Sequence, residues 1–202
     1  MMSLLLFTVA LAAPPDHTAV KEASGCTLYA GPSDSGGIAP MFADCHWPEV
    51  SPQPLQALLG KWDAYDQYIF AIVSCTVLKT EGSRTLVHQV QTAPAIAQRE
   101  VVVWMEAVPV SDGMRYTWEN DPSEPLKLAK GSVRAPRNAG YWEVTRHPEG
   151  GARVVHAVSY DPGGRVPAWL VRRFSVGGLE GVMTEVRALA VKASAASDHQ
   201  RP

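Results

Sequence analysis

Six histidines, at positions 17, 46, 88, 147, 156 and 199, and three cysteines, at 26, 45 and 75, are the side chains with the widest chemical range here. The histidines show no metal-ligand spacing, so no metal site is expected. His147 and His156 flank a turn at Pro148 to Gly151 and are better explained as exposed strand residues than as a ligand pair. No Gly-x-Ser-x-Gly, His-Glu-x-x-His, phosphate-binding loop or Cys-x-x-Cys occurs, which leaves no recognisable nucleophile, metallohydrolase or redox centre. Arg99 with Glu100 and Arg134 with Glu143 read as structural or surface ion pairs rather than acid–base couples. The cysteines offer redox chemistry of a structural kind. Cys26 and Cys45 bracket a hairpin, and a bridge would close a loop of about 20 residues, worth roughly 3 kcal/mol. Three reduced thiols are the alternative, since spacing alone proves no disulfide. Cys75 lies in an apolar run and reads as a buried free thiol.

The bulk properties set the frame. The chain has 202 residues, 46% of them hydrophobic, enough for one domain with a real core. A net charge of -2, with the 18 basic residues scattered, argues against a nucleic-acid-binding surface. Residues 1–12 run through Leu4-Leu5-Leu6-Phe7 to Ala10-Leu11-Ala12 and read as a secretory signal peptide lacking the usual n-region Lys or Arg. Residues 13–24 read as a polar linker and 194–202 as a polar tail, with the domain at 25–193. The protein is thus expected in the periplasm or outside the cell, a cytoplasmic location being the alternative.

The elements are mostly strands. A hairpin from Cys26 to Trp47 precedes a helix that starts with Ser51 as N-cap and Pro52 in the first turn. Strands are expected at 69–78, 84–92, 99–109, 114–119, 131–135, 141–147 and 153–160, with turns at 80–83, 136–140 and 148–151. Leu86, His88 and Val90 share one side of their strand. In the clearest strand, Glu100, Val102, Trp104 and Glu106 face water, while Val101, Val103, Met105 and Ala107 face the interior. Asp161-Pro162-Gly163-Gly164 is a tight turn into a long helix from Pro167 to Ala193. Leu170, Phe174, Gly178, Val182, Val186 and Leu189 form its apolar stripe. Gly177, Gly178 and Gly181 each cost a helix about 1 kcal/mol relative to Ala. They leave room for a ligand or let the helix bend as a gate, or else mark a break between two shorter helices. The reading is an α+β fold, a curved antiparallel sheet with one long helix laid across it.

Four stretches resemble a START domain, of the lipid-transfer branch of the Bet v 1-like (SRPBCC) superfamily. They are Leu58 to Tyr68; Gln98-Arg99-Glu100-Val101-Val102-Val103; Lys130 to Ala135 with Gly140 to Val144; and Tyr160 to Pro167, the most specific. The resemblance implies a helix-grip fold with an apolar cavity between sheet and C-terminal helix. It also implies binding and transfer of one lipid, with no cofactor. A cyclase- or hydrolase-type enzyme of the superfamily, or an interaction module with a filled core, are the alternatives. Where some members carry an Arg paired with an acid, this chain has Met105, beside His88 and Gln89. The implied cavity is therefore neutral and suits a sterol or other weakly polar lipid. Its expected wall is Leu86, Val101, Val103, Met105 and Trp142 on the sheet, opposite Leu170, Phe174, Val182 and Val186 on the helix. His88 is the expected polar contact, an ordinary core or surface histidine being the plainer reading. A monomer with transient membrane contact completes the expectation.

Overall fold

A computed structural model describes residues 14–34, 38–94 and 96–198; the signal-peptide reading of residues 1–12 lies outside them. Ten strands form one open, antiparallel sheet apart from one short parallel pairing. They are β1 (Thr18–Ala23), β2 (Cys26–Ala30), β3 (Met41–Trp47), β4 (Ile72–Glu81), β5 (Arg84–Gln91), β6 (Arg99–Val110), β7 (Gly113–Asn120), β8 (Val133–Arg134), β9 (Arg137–Arg146) and β10 (Ala152–Asp161). The helices are α1 (Pro52–Leu59) and α2 (Ala168–Asp198), with a 3-10 turn at Trp62–Gln67. Along the sheet the order is β1-β2-β3-β10-β9-β7-β6-β5-β4, and β8 lies parallel to β6. The last strand thus joins the opening hairpin, and α2 follows directly from it.

β6 shows why the sheet faces as it does. Val101, Val103 and Met105 are buried on the inner face, as alternation requires. The outer face departs from expectation. Glu100 and Val102 are also buried, because the chain from Asp121 to Ser132 folds over them. The Ala129 N–H donates to Glu100 at 2.8 Å, the Asp121 N–H to the Val102 carbonyl at 2.8 Å, and the Trp104 indole to Asp121 at 2.9 Å.

Several boundaries move. Residues 18–23 form β1, an edge strand paired with β2, rather than part of a linker. β4 starts only at Ile72 and runs through Thr80 to Glu81, leaving Gly82 and Ser83 as the turn. The expected turn at 136–140 lies mostly within β9, where Gly140 pairs with both Val158 and Trp118. A Cβ there would sit 2.1 Å from the Ala157 carbonyl oxygen, so this glycine permits close strand contact rather than a turn. Ser51 has N-cap geometry but makes no side-chain cap. Its N–H is instead taken by Ser194 Oγ at 2.9 Å, and Ser194 is buried. The polar tail therefore begins beyond residue 194, inside what was read as tail.

α2 is continuous over 31 residues, about 46 Å at 1.5 Å per residue, so the glycines do not divide it. Its buried stripe is Leu179, Met183, Val186, Ala190 and Ser194, rotated from the expected one, with Val186 common to both. Cys26 and Cys45 face each other across β2 and β3 and are joined by a disulfide. Cys75 is free and half-buried; burial pushes its thiol up to about 12, so it stays protonated near neutrality.

The turn into α2 is fixed from a distance. Gly163 and Gly164 have φ of 63° and 69°, and the Asp161 carboxylate accepts the Gly163 N–H at 2.8 Å. Buried Arg99, at the start of β6, donates to the carbonyls of Pro162 at 3.0 Å and Gly163 at 3.1 Å. A third bond goes to the Ala97 carbonyl at 2.5 Å.

Candidate functional site

Between the inner face of the sheet and α2 lies a cavity of about 480 Å³. β6, β7, β9 and β10 supply Met105, Trp118, Trp142 and His156 to its wall, and α2 supplies Gly177, Gly178, Leu179 and Val182. Among the described residues, neither Gly177 nor Gly178 has a neighbour within 4 Å of where a Cβ would lie, so the helix leaves space there. The cavity is partly open rather than sealed, and Phe70, 54% exposed, stands at its edge.

The polar groups in the wall are few, and most are engaged. Gln89 Oε1 accepts the Gln91 amide N–H at 3.0 Å. Asn138 Oδ1 accepts the Trp118 indole N–H at 2.8 Å. Arg99 gives three of its five N–H donors to the carbonyls named above. Burial pushes the Tyr160 hydroxyl up to about 12, so it is neutral. His156 is different. It is 6% exposed, and its ring stacks on Trp142 at 3.8 Å between centroids, with Trp118 at 5.6 Å. Its buried Nδ1 has no hydrogen-bond partner among the described residues. Burial drives its pKa down to about 3, opposed slightly by the Tyr141 backbone, so the imidazole is neutral.

The residues expected in the wall divide. Met105, Trp142 and Val182 line the cavity. Val101 and Val103 share the inner face but pack into the core beside Tyr65, Ile69 and Val87. Val186 is packed into the core between α2 and the β2–β3 hairpin, and Leu170 is half-buried outside the lining. The Phe174 side chain lies outside the described residues. Leu86 and His88 are corrected. They pair with Trp104 and Val102 and so occupy the outer face. His88 Nε2 lies 3.0 Å from Glu100, away from the cavity. Burial opposes the Glu100 charge most, but the Ala129 N–H, the Ser132 hydroxyl and His88 together hold its pKa below the ordinary value. The phase of β5 was misread because both its faces are covered, so neither announces itself by polarity. His156 was missed as a wall residue. The available signal was its place in Val154-x-His156-x-Val158-x-Tyr160, a histidine on the apolar side of a strand.

One cluster has metal-ligand composition. Ligand atoms of His46, His147 and Glu149 lie within 4.8 Å of one another, at the far end of β3 and the β9–β10 turn. The two rings stack at 3.6 Å, and each histidine already uses one ring nitrogen: His46 Nε2 with the Gly150 carbonyl at 2.9 Å, and His147 Nδ1 accepting the Glu149 N–H at 3.2 Å. His147 Nδ1 is thus already occupied as an acceptor in this arrangement.

The fold has clear relatives. The chain is similar to the STAR-related lipid transfer protein of Xanthomonas axonopodis, with TM-score 0.75, 21% identity, and coverage of 87% of this chain and 98% of that one. It is also similar to human StAR-related lipid transfer protein 5, with TM-score 0.77, 13% identity, and coverage of 93% and 90%. The fold is that of a START domain. In sequence, the uncharacterised protein PA1579 of Pseudomonas aeruginosa is 27% identical over 129 residues, 62% of this chain and 63% of that protein. The match thus spans less than two thirds of that relative's length. No protein-family model matches the chain.

Proposed function

We propose that this protein binds one hydrophobic lipid, a sterol or another weakly polar lipid, between its sheet and α2, and carries it between membranes. The observation that carries the reading is the largely apolar cavity of about 480 Å³. Its size falls in the range of roughly 300–1,000 Å³ typical of pockets for single small molecules. Burying apolar lipid surface there is worth about 25 cal/mol per Å², so affinity needs few polar contacts. The neutral Gln89, Asn138, His156 and Tyr160, with Arg99 committed to backbone carbonyls, favour an uncharged ligand. Two solved relatives are described as lipid transfer proteins, which supports the same reading. Exposed Phe70 at the cavity edge, and exposed Val73 and Trp169, suit brief contact with a membrane surface. The Cys26–Cys45 disulfide favours an oxidising compartment, consistent with export to the periplasm or beyond. No helix of the described residues is long and apolar enough to cross a membrane.

Native mass spectrometry of protein purified without detergent should show a one-to-one lipid adduct that organic extraction removes. Protein that is empty and takes up no lipid from vesicles would overturn the reading.

A further inference from the structure

We infer that His156 recognises the polar end of the bound molecule, and that this end is an uncharged hydroxyl. The assignment rests on the lipid-binding reading above and deepens it. His156 lies in the cavity wall with its ring held against Trp142 at 3.8 Å, so its direction is set before a ligand arrives. Its Nδ1 is shut away from the cavity beside the Tyr141 backbone, with no hydrogen-bond partner among the described residues, which leaves Nε2 as the nitrogen for a ligand. A cavity-facing polar atom without a protein partner loses its water when an apolar ligand enters, and a ligand hydroxyl restores that bond.

Three neighbouring polar groups are already engaged, and the Tyr160 hydroxyl is neutral. Gln89 holds Gln91, Asn138 holds the Trp118 indole, and Arg99 holds the turn into α2. A carboxylate or phosphate beside His156 would find no counter-charge on the imidazole, because burial strongly disfavours its positive form. A neutral imidazole has one donor and one acceptor nitrogen. A hydroxyl both donates and accepts, so it satisfies whichever nitrogen meets it, without a charge. An alkyl end would leave the imidazole unpaired, and the site should reject it by comparison.

The test is paired ligand titration of the full chain, with tetradecanol and tetradecane as probes and quenching of tryptophan fluorescence as the signal. The wild type should bind tetradecanol about tenfold more tightly than tetradecane, the worth of one buried hydrogen bond. His156→Phe keeps a ring against Trp142 but has no polar atom. It should lose the preference for the alcohol, so that the affinities for the two probes converge. His156→Gln, which restores a donor and an acceptor, should recover part of it. A His156→Phe variant that keeps the full preference would overturn the assignment. So would a wild type that binds both probes equally, and that comparison decides the matter even if the variants fail to fold. Wild type that takes up neither probe would overturn the lipid-binding reading itself, and this assignment with it.

Discussion

His156 should make the folded protein sensitive to acid. Its folded pKa, about 3, lies below the ordinary value of 6.5 because burial disfavours the charge. Between those two values the unfolded chain takes up a proton that the native state refuses. The stabilisation is therefore complete above about pH 6.5 and is lost as pH falls toward 3, by up to about 1.4 kcal/mol per pH unit. Urea midpoints at pH 7.5, 6 and 5 should fall less steeply for His156→Phe than for wild type. Parallel slopes would show that the native imidazole takes up its proton over the same pH range as the unfolded one. Glu100 acts in the same direction at lower pH, since its folded pKa is also lowered, but it is common to both proteins and cancels. At this scale the sequence was readable where strand alternation met one bare face. It was unreadable at His88, whose side of β5 is covered by the chain after Asp121.

α2 is the element on which binding and stability pull apart. A Cβ on Gly178 meets nothing within 4 Å, whereas one on Gly181 lies 3.1 Å from the Phe70 ring. Gly178→Ala should therefore gain close to the full helix-propensity difference, about 0.8–1 kcal/mol. Gly181→Ala should gain less, because Phe70 must shift. Gly178→Leu should extend into the cavity and abolish lipid uptake while the melting temperature holds or rises. Uptake equal to wild type would remove this part of α2 from the binding wall. Gly177 and Gly178 leave space beside α2 whereas Gly181 is packed by Phe70, and the two-helix reading fails because α2 runs unbroken from Ala168 to Asp198.

For the whole molecule, the disulfide joins β2 to β3, and the β1–β3 unit meets the rest of the sheet only through β10. Its cysteines are 19 positions apart, so reducing it should release loop entropy worth about 3 kcal/mol. Urea unfolding with and without reductant measures this directly, with Cys26→Ser/Cys45→Ser as the matched variant. An unchanged midpoint would show that the bridge adds nothing to the pairing of β2 with β3.

The sequence by itself determined the fold class, the inward set Val101, Val103 and Met105, the hairpin with its cysteine pair, and the Asp161-to-Gly164 turn. Each is written in local spacing or turn chemistry, which needs no partner to be read. Two of the resembling stretches proved to be one feature, because Arg99 from the first bonds the carbonyls of Pro162 and Gly163 in the other. Only the tertiary structure decided the rest. The outer cover over Glu100, the rotated stripe of α2, the close approach at Gly140 and the unpaired nitrogen of His156 all depend on which distant segments come together. Side-chain type alone does not specify those contacts, and the candidate site is made from them.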